Sequence, residues 1–201
     1  MDRRATYDRF VADPWEDVFV LMWEAYTAGT IPVGAVVVDE TGRVVARGQN
    51  RIFDEPGACE LGRSRLAHAE VNALTQLESG RMYPDWTLYT ALEPCHLCLA
   101  GAVAVRVGRV RYAAADPYGG AVGMLLPSAD HLAHPVELEG PLEGPRGRLP
   151  ELLHVAHFLW RVPDGGVATF YRERFPELVA AARSLPPPDA GATLADALAA
   201  L

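Results

Sequence analysis

The sequence contains no lysine, so all 18 of its basic side chains are arginines. Acidic residues number 26, and the formal net charge is −8 at pH 7. Affinity for nucleic acids rests largely on cationic contacts with phosphate groups. This balance therefore argues against a nucleic acid as the main partner, an argument that a local basic patch would weaken.

Long apolar runs and a disulfide framework are also missing. No run approaches the roughly 18 apolar residues of a membrane span. Acidic residues near the N-terminus interrupt any stretch that could serve as a signal peptide. Two of the three cysteines lie in the segment "CHLC", which favours metal chemistry over disulfides. We therefore expect a cytoplasmic protein with no membrane partner.

The order of the predicted elements indicates the fold class. Asp13 can cap a first helix with Pro14 in its first turn, and two β-branched runs around "DETG" predict an antiparallel hairpin. Helix, strand, helix and strand follow, and strands joined through helices pair in parallel. We therefore predict an α/β protein, a three-layer α/β/α sandwich with a central mixed sheet of about five strands.

The remaining elements are less regular. A segment rich in Gly and Pro over residues 117–148 holds one predicted strand at "HPVELEG", and helices follow at "PELLHVAHFLWRV" and "VATFYRERFPELVAAARSL", the second interrupted at Pro176. We predict one domain over residues 1–148. A helical C-terminal extension over residues 149–201 would pack on that domain or on a partner subunit.

The segment "LAHAEVNAL" places two titratable residues, His68 and Glu70, in an otherwise buried helix, while Cys95 and Cys98 lie on one face of the helix that Pro94 begins. If the strand between the helices brings their N-termini together, they offer one nitrogen and two sulfurs, which zinc fits best. A fourth position would hold a water molecule. Glu70 would then be its proton acceptor rather than a ligand.

Other interpretations of these residues stay open. Cys59 could be a fourth ligand, which would close a purely structural zinc site. The His131/His134 and His154/His157 pairs lack neighbouring carboxylates or cysteines, so we assign them no metal. Three arginines could form a phosphate patch, although a helix end and a strand edge explain them at least as well: Arg106, Arg109 and Arg111.

At these motifs the sequence resembles a known family. "HAE" and "PCHLC", in which Cys95 lies 27 residues after His68, together resemble the zinc-dependent cytidine deaminase superfamily. Together with "IPVGAVVVDETGRVVARGQNR", "LYTALEPCHLC" and "GRVRYAAAD", they resemble the branch that contains bacterial tRNA adenosine deaminases and guanine or guanosine deaminases. The resemblance covers about residues 13–118.

This resemblance implies a zinc-dependent deaminase domain, a homodimer, and hydrolytic removal of an exocyclic amino group as ammonia. It implies that Zn²⁺ is bound by His68, Cys95 and Cys98 and that Glu70 is the catalytic proton shuttle. Three residues would bind substrate: the side chains of Asn50 and Asp116 and the backbone around Ala69. Asn50 and Asp116 are equally well explained as turn formers.

The sequence departs from the tRNA branch in an acidic, longer loop between Asn50 and His68, in the non-basic segment "PYGGAVGML", and in its long C-terminal extension. These departures favour a small-molecule substrate. We therefore predict deamination of a free nucleobase or nucleoside, a purine of the guanine, guanosine or adenosine type. The alternatives are a tRNA wobble adenosine deaminase and a non-catalytic, zinc-stabilised binding module.

Overall fold

The computed structural model of the chain describes residues 9–10, 12–57, 60–123, 129–188 and 190–201. It has a mixed sheet in the order β1-β3-β2-β4-β5-β6. Only β4–β5 and β5–β6 pair in parallel. The five predicted strands are confirmed, and a two-residue strand extends one edge. The strands are β1 (Arg9–Phe10), β2 (Gly34–Val38), β3 (Arg43–Gln49), β4 (Tyr83–Leu92), β5 (Val107–Ala114) and β6 (Glu137–Glu139).

Helices cover both faces of the sheet, as the three-layer prediction requires. Helices α1 and α5 contact each other and the sheet, and α2 and α3 do the same. No helix in the described part of the chain is long and apolar enough to cross a membrane. The helices are α1 (Pro14–Thr27), α2 (Ala69–Leu74), α3 (His96–Val105), α4 (Ala129–Ala133), α5 (Gly144–Arg161), α6 (Gly166–Arg174), α7 (Pro176–Ala182) and α8 (Leu194–Ala199).

Two glycines set the distance between the central strands and the helices. A Cβ atom at Gly34 of β2 would lie 2.4 Å from the carbonyl oxygen of Val18 in α1. A Cβ atom at Gly48 of β3 would lie 2.0 Å from the carbonyl oxygen of Ala69 in α2. At these two positions the helices therefore lie closer to the strands than a residue with a side chain would allow. Every residue of β2 is buried, as the apolar run predicts.

Two helix starts differ from the prediction. Helix α3 begins at His96, so Pro94 precedes the helix instead of occupying its first turn. Cys95 has an extended backbone (φ −74°, ψ 175°) and is the N-cap residue, and the carbonyl oxygen of Pro94 accepts a hydrogen bond from the N–H of Ala121. Helix α5 begins at Gly144, and Pro150 lies inside it. The predicted boundary between residues 148 and 149 thus falls within α5, and the division into domain and extension stays a prediction.

The C-terminal helices share the apolar core of the sheet. Leu149, Leu152 and Leu153 of α5 belong to the same cluster of buried side chains as Val36 of β2 and Val110 of β5. Burial of apolar area is the main stabilising contribution to such packing. Helix α5 is consequently part of the sandwich and carries side chains to the sheet edge where the candidate site lies.

Strands β3, β4 and β5 run in the same direction, because β3 and β4 are both antiparallel to β2 and β4 is parallel to β5. Their carboxyl ends therefore meet at one edge of the sheet. Asn50 follows β3, Cys95 follows β4 and Asp116 follows β5. Ligands of open α/β sheets bind at this kind of edge.

We predict that Gly48→Ala lowers the free energy of unfolding by about 3 kcal/mol, because an added methyl group must displace the backbone of α2. Urea unfolding of the zinc-loaded protein measures this change. Gly123→Ala is the matched control, since a Cβ atom there meets no atom of the described residues within 4 Å. Equal unfolding midpoints for the two variants would contradict the close contact between β3 and α2.

A second prediction concerns His157 of α5, whose side chain is 0% exposed. Neither ring nitrogen has a hydrogen-bond partner among the described residues. The ring stacks on Phe53 at a centroid distance of 6.4 Å. Burial, helped by repulsion from His154 and Arg161, lowers the pKa of His157 from 6.5 to about 3. The folded protein therefore keeps this ring neutral where the unfolded chain would protonate it.

The unfolded chain binds one more proton than the folded protein between about pH 6.5 and 3, so stability falls as the pH falls through this window. We predict that lowering the pH from 7 to 5 costs the parent about 2 kcal/mol more than it costs His157→Leu. Urea unfolding at both pH values measures the difference. Parallel losses in the two proteins would show that His157 is not buried as described.

Candidate active site

Two helix starts bring one imidazole and two thiol groups together. His68 is the N-cap residue of α2, Cys95 is the N-cap residue of α3, and Cys98 lies in the first turn of α3. The Nδ1 atom of His68 lies 3.6 Å from the sulfur of Cys95 and 3.5 Å from that of Cys98. The two sulfurs are 3.7 Å apart. The three ligand atoms therefore form a nearly equilateral triangle.

The triangle has the dimensions of one face of a zinc tetrahedron. Tetrahedral zinc with ordinary Zn–S and Zn–N bonds separates sulfur from nitrogen by about 3.6 Å and sulfur from sulfur by about 3.8 Å. The distances between these three side chains match both values. This is the one group of three or more potential metal-ligating residues found in the described ranges. Two thiolates and a neutral imidazole would also balance the charge of Zn²⁺.

The three groups polarise one another even without a cation. Hydrogen bonding with Cys98 and with His68 lowers the pKa of the Cys95 thiol to about 3, although burial opposes the change. Hydrogen bonding with Cys95, together with burial, raises the pKa of Cys98 well above its usual value. Hydrogen bonding with Cys95 raises the pKa of His68. The arrangement thus already favours a thiolate, the form that binds metals.

Glu70 lies beside this triangle and is 4% exposed. Its Oε2 atom is 3.3 Å from the sulfur of Cys98, and its Oε1 atom accepts a hydrogen bond of 2.8 Å from the hydroxyl of Thr90 in β4. Burial raises the pKa of the Glu70 carboxyl, opposed by the charge of His68. A carboxyl group in such surroundings can both accept and donate a proton in the pH range where enzymes work.

Several buried polar residues hold the site in place. The side-chain amide of Asn72 in α2 donates to the carbonyl oxygens of Gln49 and Leu61 and accepts from the N–H of Leu61. The carboxylate of Glu93 accepts from the backbone N–H groups of Asp116 and Val122. These hydrogen bonds of Asn72 and Glu93 were not predicted from the sequence. Their signal is a polar side chain in an apolar stretch, as in "AEVNAL".

A cavity of about 240 Å³ opens next to Glu70 and the metal-ligand triangle. Asn50 lines it, with its Oδ1 atom accepting from the hydroxyl of Thr30 and the N–H of Ile52, which leaves the amide NH₂ available. Asp116 also lines it, and its Oδ1 atom accepts two backbone N–H groups of the following turn. Ala69 is buried and is not among the cavity-lining residues.

The C-terminal helices supply one wall of this cavity. His154 and Phe158 of α5 and Val167 of α6 line it together with Tyr118. From the sequence we assigned no metal to the His154/His157 pair and no part in the site to His154. The His154/His157 spacing was a usable signal, because a histidine on the apolar face of a helix needs an explanation. Cys59, the alternative fourth ligand, lies outside the described residues.

The sequence matches the family described as "Cytidine and deoxycytidylate deaminase zinc-binding region" over residues 15–114. The tRNA-specific adenosine deaminase of Haemophilus influenzae is 31% identical over 132 residues, which cover 64% of this chain and 69% of that protein. The chain therefore belongs to the cytidine and deoxycytidylate deaminase zinc-binding family, and this match confirms the predicted resemblance.

Two further similar proteins differ in how much of their own length matches this chain. The tRNA(Ile)-lysidine synthase of Deinococcus radiodurans is 36% identical over 110 residues, or 53% of this chain and 18% of that protein. The chain thus spans less than a fifth of that relative. The solved guanine deaminase of Nitrosomonas europaea is 23% identical with a TM-score of 0.50, over 68% of this chain and 81% of that chain. This similarity supports the fold.

We predict that Thr90→Val lowers the free energy of unfolding by about 1–3 kcal/mol, because the buried Glu70 carboxyl loses its hydroxyl donor. Thr87→Val on the same strand is the control, since its hydroxyl accepts only a long 3.4 Å hydrogen bond from Arg109. Urea unfolding of both zinc-loaded variants measures the difference. Equal stability would show that Thr90 does not support the carboxyl group.

Proposed function

We propose that this protein is a zinc-dependent hydrolytic deaminase that releases ammonia from a free purine nucleobase or nucleoside. The observation that carries the proposal is the position of the Glu70 carboxyl, which is buried, 3.3 Å from a candidate ligand sulfur and open to the cavity. A purely structural metal site has no use for such a group. Membership of a zinc-binding deaminase family supports the same chemistry.

In this proposal His68, Cys95 and Cys98 hold the zinc ion. When bound, zinc lowers the pKa of a water molecule and so makes it a nucleophile at neutral pH. Glu70 accepts the proton of the attacking water and delivers it to a ring nitrogen of the base. It then takes the remaining proton from the new hydroxyl group on the ring carbon and transfers it to the exocyclic amino group. The C–N bond breaks, ammonia leaves, and the ring carbon keeps the oxygen as a carbonyl.

Asn50 and Asp116 would orient the base above Glu70. The free NH₂ of Asn50 can donate to a ring nitrogen or carbonyl oxygen, and the carboxylate of Asp116 can accept from a ring N–H or an amino group. Both side chains are held by backbone or hydroxyl contacts, which limits their motion. The backbone around Ala69 stays a predicted substrate contact. The homodimer and the cytoplasmic location also stay predictions.

The shape of the cavity favours a small substrate. Its volume of about 240 Å³ is below the 300–1,000 Å³ typical of pockets for drug-sized ligands. Helices α5 and α6 supply one of its walls. Arg51, which follows Asn50, is paired with Asp54 at 2.6 Å and with Glu60 at 2.5 Å, so its charge is already balanced.

A tRNA adenosine deaminase is the second candidate. It is favoured by the tRNA-specific adenosine deaminases among the relatives, such as that of Haemophilus influenzae. A basic surface is the feature it would need. Arg109 and Arg111 of β5 instead pair with Glu137 and Glu139 of β6 at 2.9 and 2.5 Å, which supports the preferred explanation of these arginines as strand-edge residues over a phosphate patch.

The test is ammonia release by the zinc-loaded protein from free purine and pyrimidine bases, nucleosides, nucleotides and folded tRNA. We expect turnover of a purine base or nucleoside. Glu70→Gln should lower kcat by about 10²–10⁴, because general acid–base catalysis contributes that much. Its zinc content, measured by mass spectrometry, should stay at the parent's value.

Ammonia from tRNA alone would replace the proposal with the second candidate. No ammonia from any compound would contradict both and favour a zinc-stabilised binding module. In that case Cys59→Ala should lose metal while Glu70→Gln changes nothing. Equal turnover by the parent and Glu70→Gln would reject Glu70 as the proton shuttle.

A further inference from the structure

His154 lies in the wall of the candidate substrate cavity, and its imidazole has no hydrogen-bond partner among the described residues. The side chain is 5% exposed, and it packs against the rings of Phe158 and Tyr171 at centroid distances of 5.1 and 6.0 Å. Its Nδ1 atom is sealed from solvent and has no hydrogen-bond partner. Buried polar atoms in native proteins almost always have partners, so an unpaired imidazole in a cavity wall needs a reason.

The two ring nitrogens of His154 differ in their surroundings. Nδ1 is sealed from solvent, whereas Nε2, which also lacks a hydrogen-bond partner among the described residues, is not among the sealed atoms. The His154 side chain lines the cavity. Burial lowers the pKa of His154, although the charge of Asp116 opposes the change, so the ring is neutral. A neutral imidazole carries one N–H, either at Nδ1 or at Nε2.

The position of the proton follows from these surroundings. Orphaned N–H groups are rarer in protein interiors than orphaned acceptors. A proton on Nδ1 would create such an orphaned donor, whereas Nε2 is the unsealed nitrogen of a residue that lines the cavity, where a ligand can accept its proton. His154 therefore presents an N–H donor to the same cavity that Glu70, Asn50 and Asp116 line.

We propose that His154 is a substrate-binding residue, whose Nε2–H donates a hydrogen bond to a ring nitrogen or carbonyl oxygen of the purine. This inference rests on the proposed function of the site. It assigns a recognition role to α5, which lies beyond the matched family region. Asp116, held by the hydroxyl of Tyr171 at 3.4 Å, supplies an acceptor to the same ligand, so a base with both donors and acceptors fits best.

The test compares four zinc-loaded, full-length proteins: the parent, His154→Leu, His154→Gln and His157→Leu. His157 is the matched control, because it is equally buried and unpaired on the same helix but does not line the cavity. The probe is the purine that the parent turns over or, without turnover, whichever of guanine, guanosine and adenosine it binds. Ammonia release yields KM and kcat. Calorimetric titration of the Glu70→Ala background yields Kd.

We expect His154→Leu to raise KM and Kd about tenfold, the loss expected for one hydrogen bond, with kcat changed less than threefold. Zinc content and the unfolding midpoint should not fall, because Leu fills the site without an unpaired nitrogen. His154→Gln keeps an N–H donor and should recover part of the affinity. His157→Leu should keep the parent's KM and Kd.

Two results would overturn the assignment of His154 while leaving the proposed function intact. The first is a KM for His154→Leu within twofold of the parent's value. The second is an equal rise for His154→Leu and His157→Leu, which would show a packing effect of the helix. A parent protein that neither binds nor deaminates any free purine base or nucleoside would instead overturn both proposals together.

Discussion

A carboxyl group cut off from water is tolerated only where neighbouring groups replace its hydration. For Glu70 these neighbours are the hydroxyl of Thr90 on β4 and the sulfur of Cys98 at the start of α3. The carboxyl itself is on α2, so one buried group links two neighbouring helices and the sheet on which they pack. Any shift of α2 along β3 would break both contacts at once. The packing of α2 against the sheet and α3 therefore fixes the position of the Glu70 carboxyl.

Helix α2 spans only Ala69–Leu74, and isolated helices of that length are not stable in water. Its position comes from tertiary contacts, namely the close approach at Gly48 and the hydrogen bonds of Asn72 to Gln49 and Leu61. Because His68 is the N-cap residue of this helix, the same contacts orient the imidazole toward the two sulfurs. A six-residue helix can thus hold a candidate ligand and a candidate proton shuttle without much stability of its own.

The sequence predicted those features that depend on local pattern. The buried run at β2, the hairpin turn and the strand–helix alternation follow from periodicity and turn chemistry, and the grouping of His68 with Cys95 and Cys98 followed from helix starts. The start of α5 was not predicted. Pro150 indicated that the helix begins there, but the helix begins at Gly144 and contains Pro150. The cavity wall could not be predicted either. Which side of α5 faces the site depends on packing against α6, α7 and the sheet.

The residues around the cavity lie partly inside and partly outside the matched family region. The triangle and Glu70 lie within residues 15–114, the part shared with the family, whereas α5 and α6 lie entirely beyond it. If the proposals hold, the reacting groups all lie in the family region, whereas part of the substrate-binding surface lies outside it. Relatives named for different substrates can then share every reacting group. The substrates for which the relatives are named would then say little about the substrate of this protein. The cavity-lining side chains of α5 would say more.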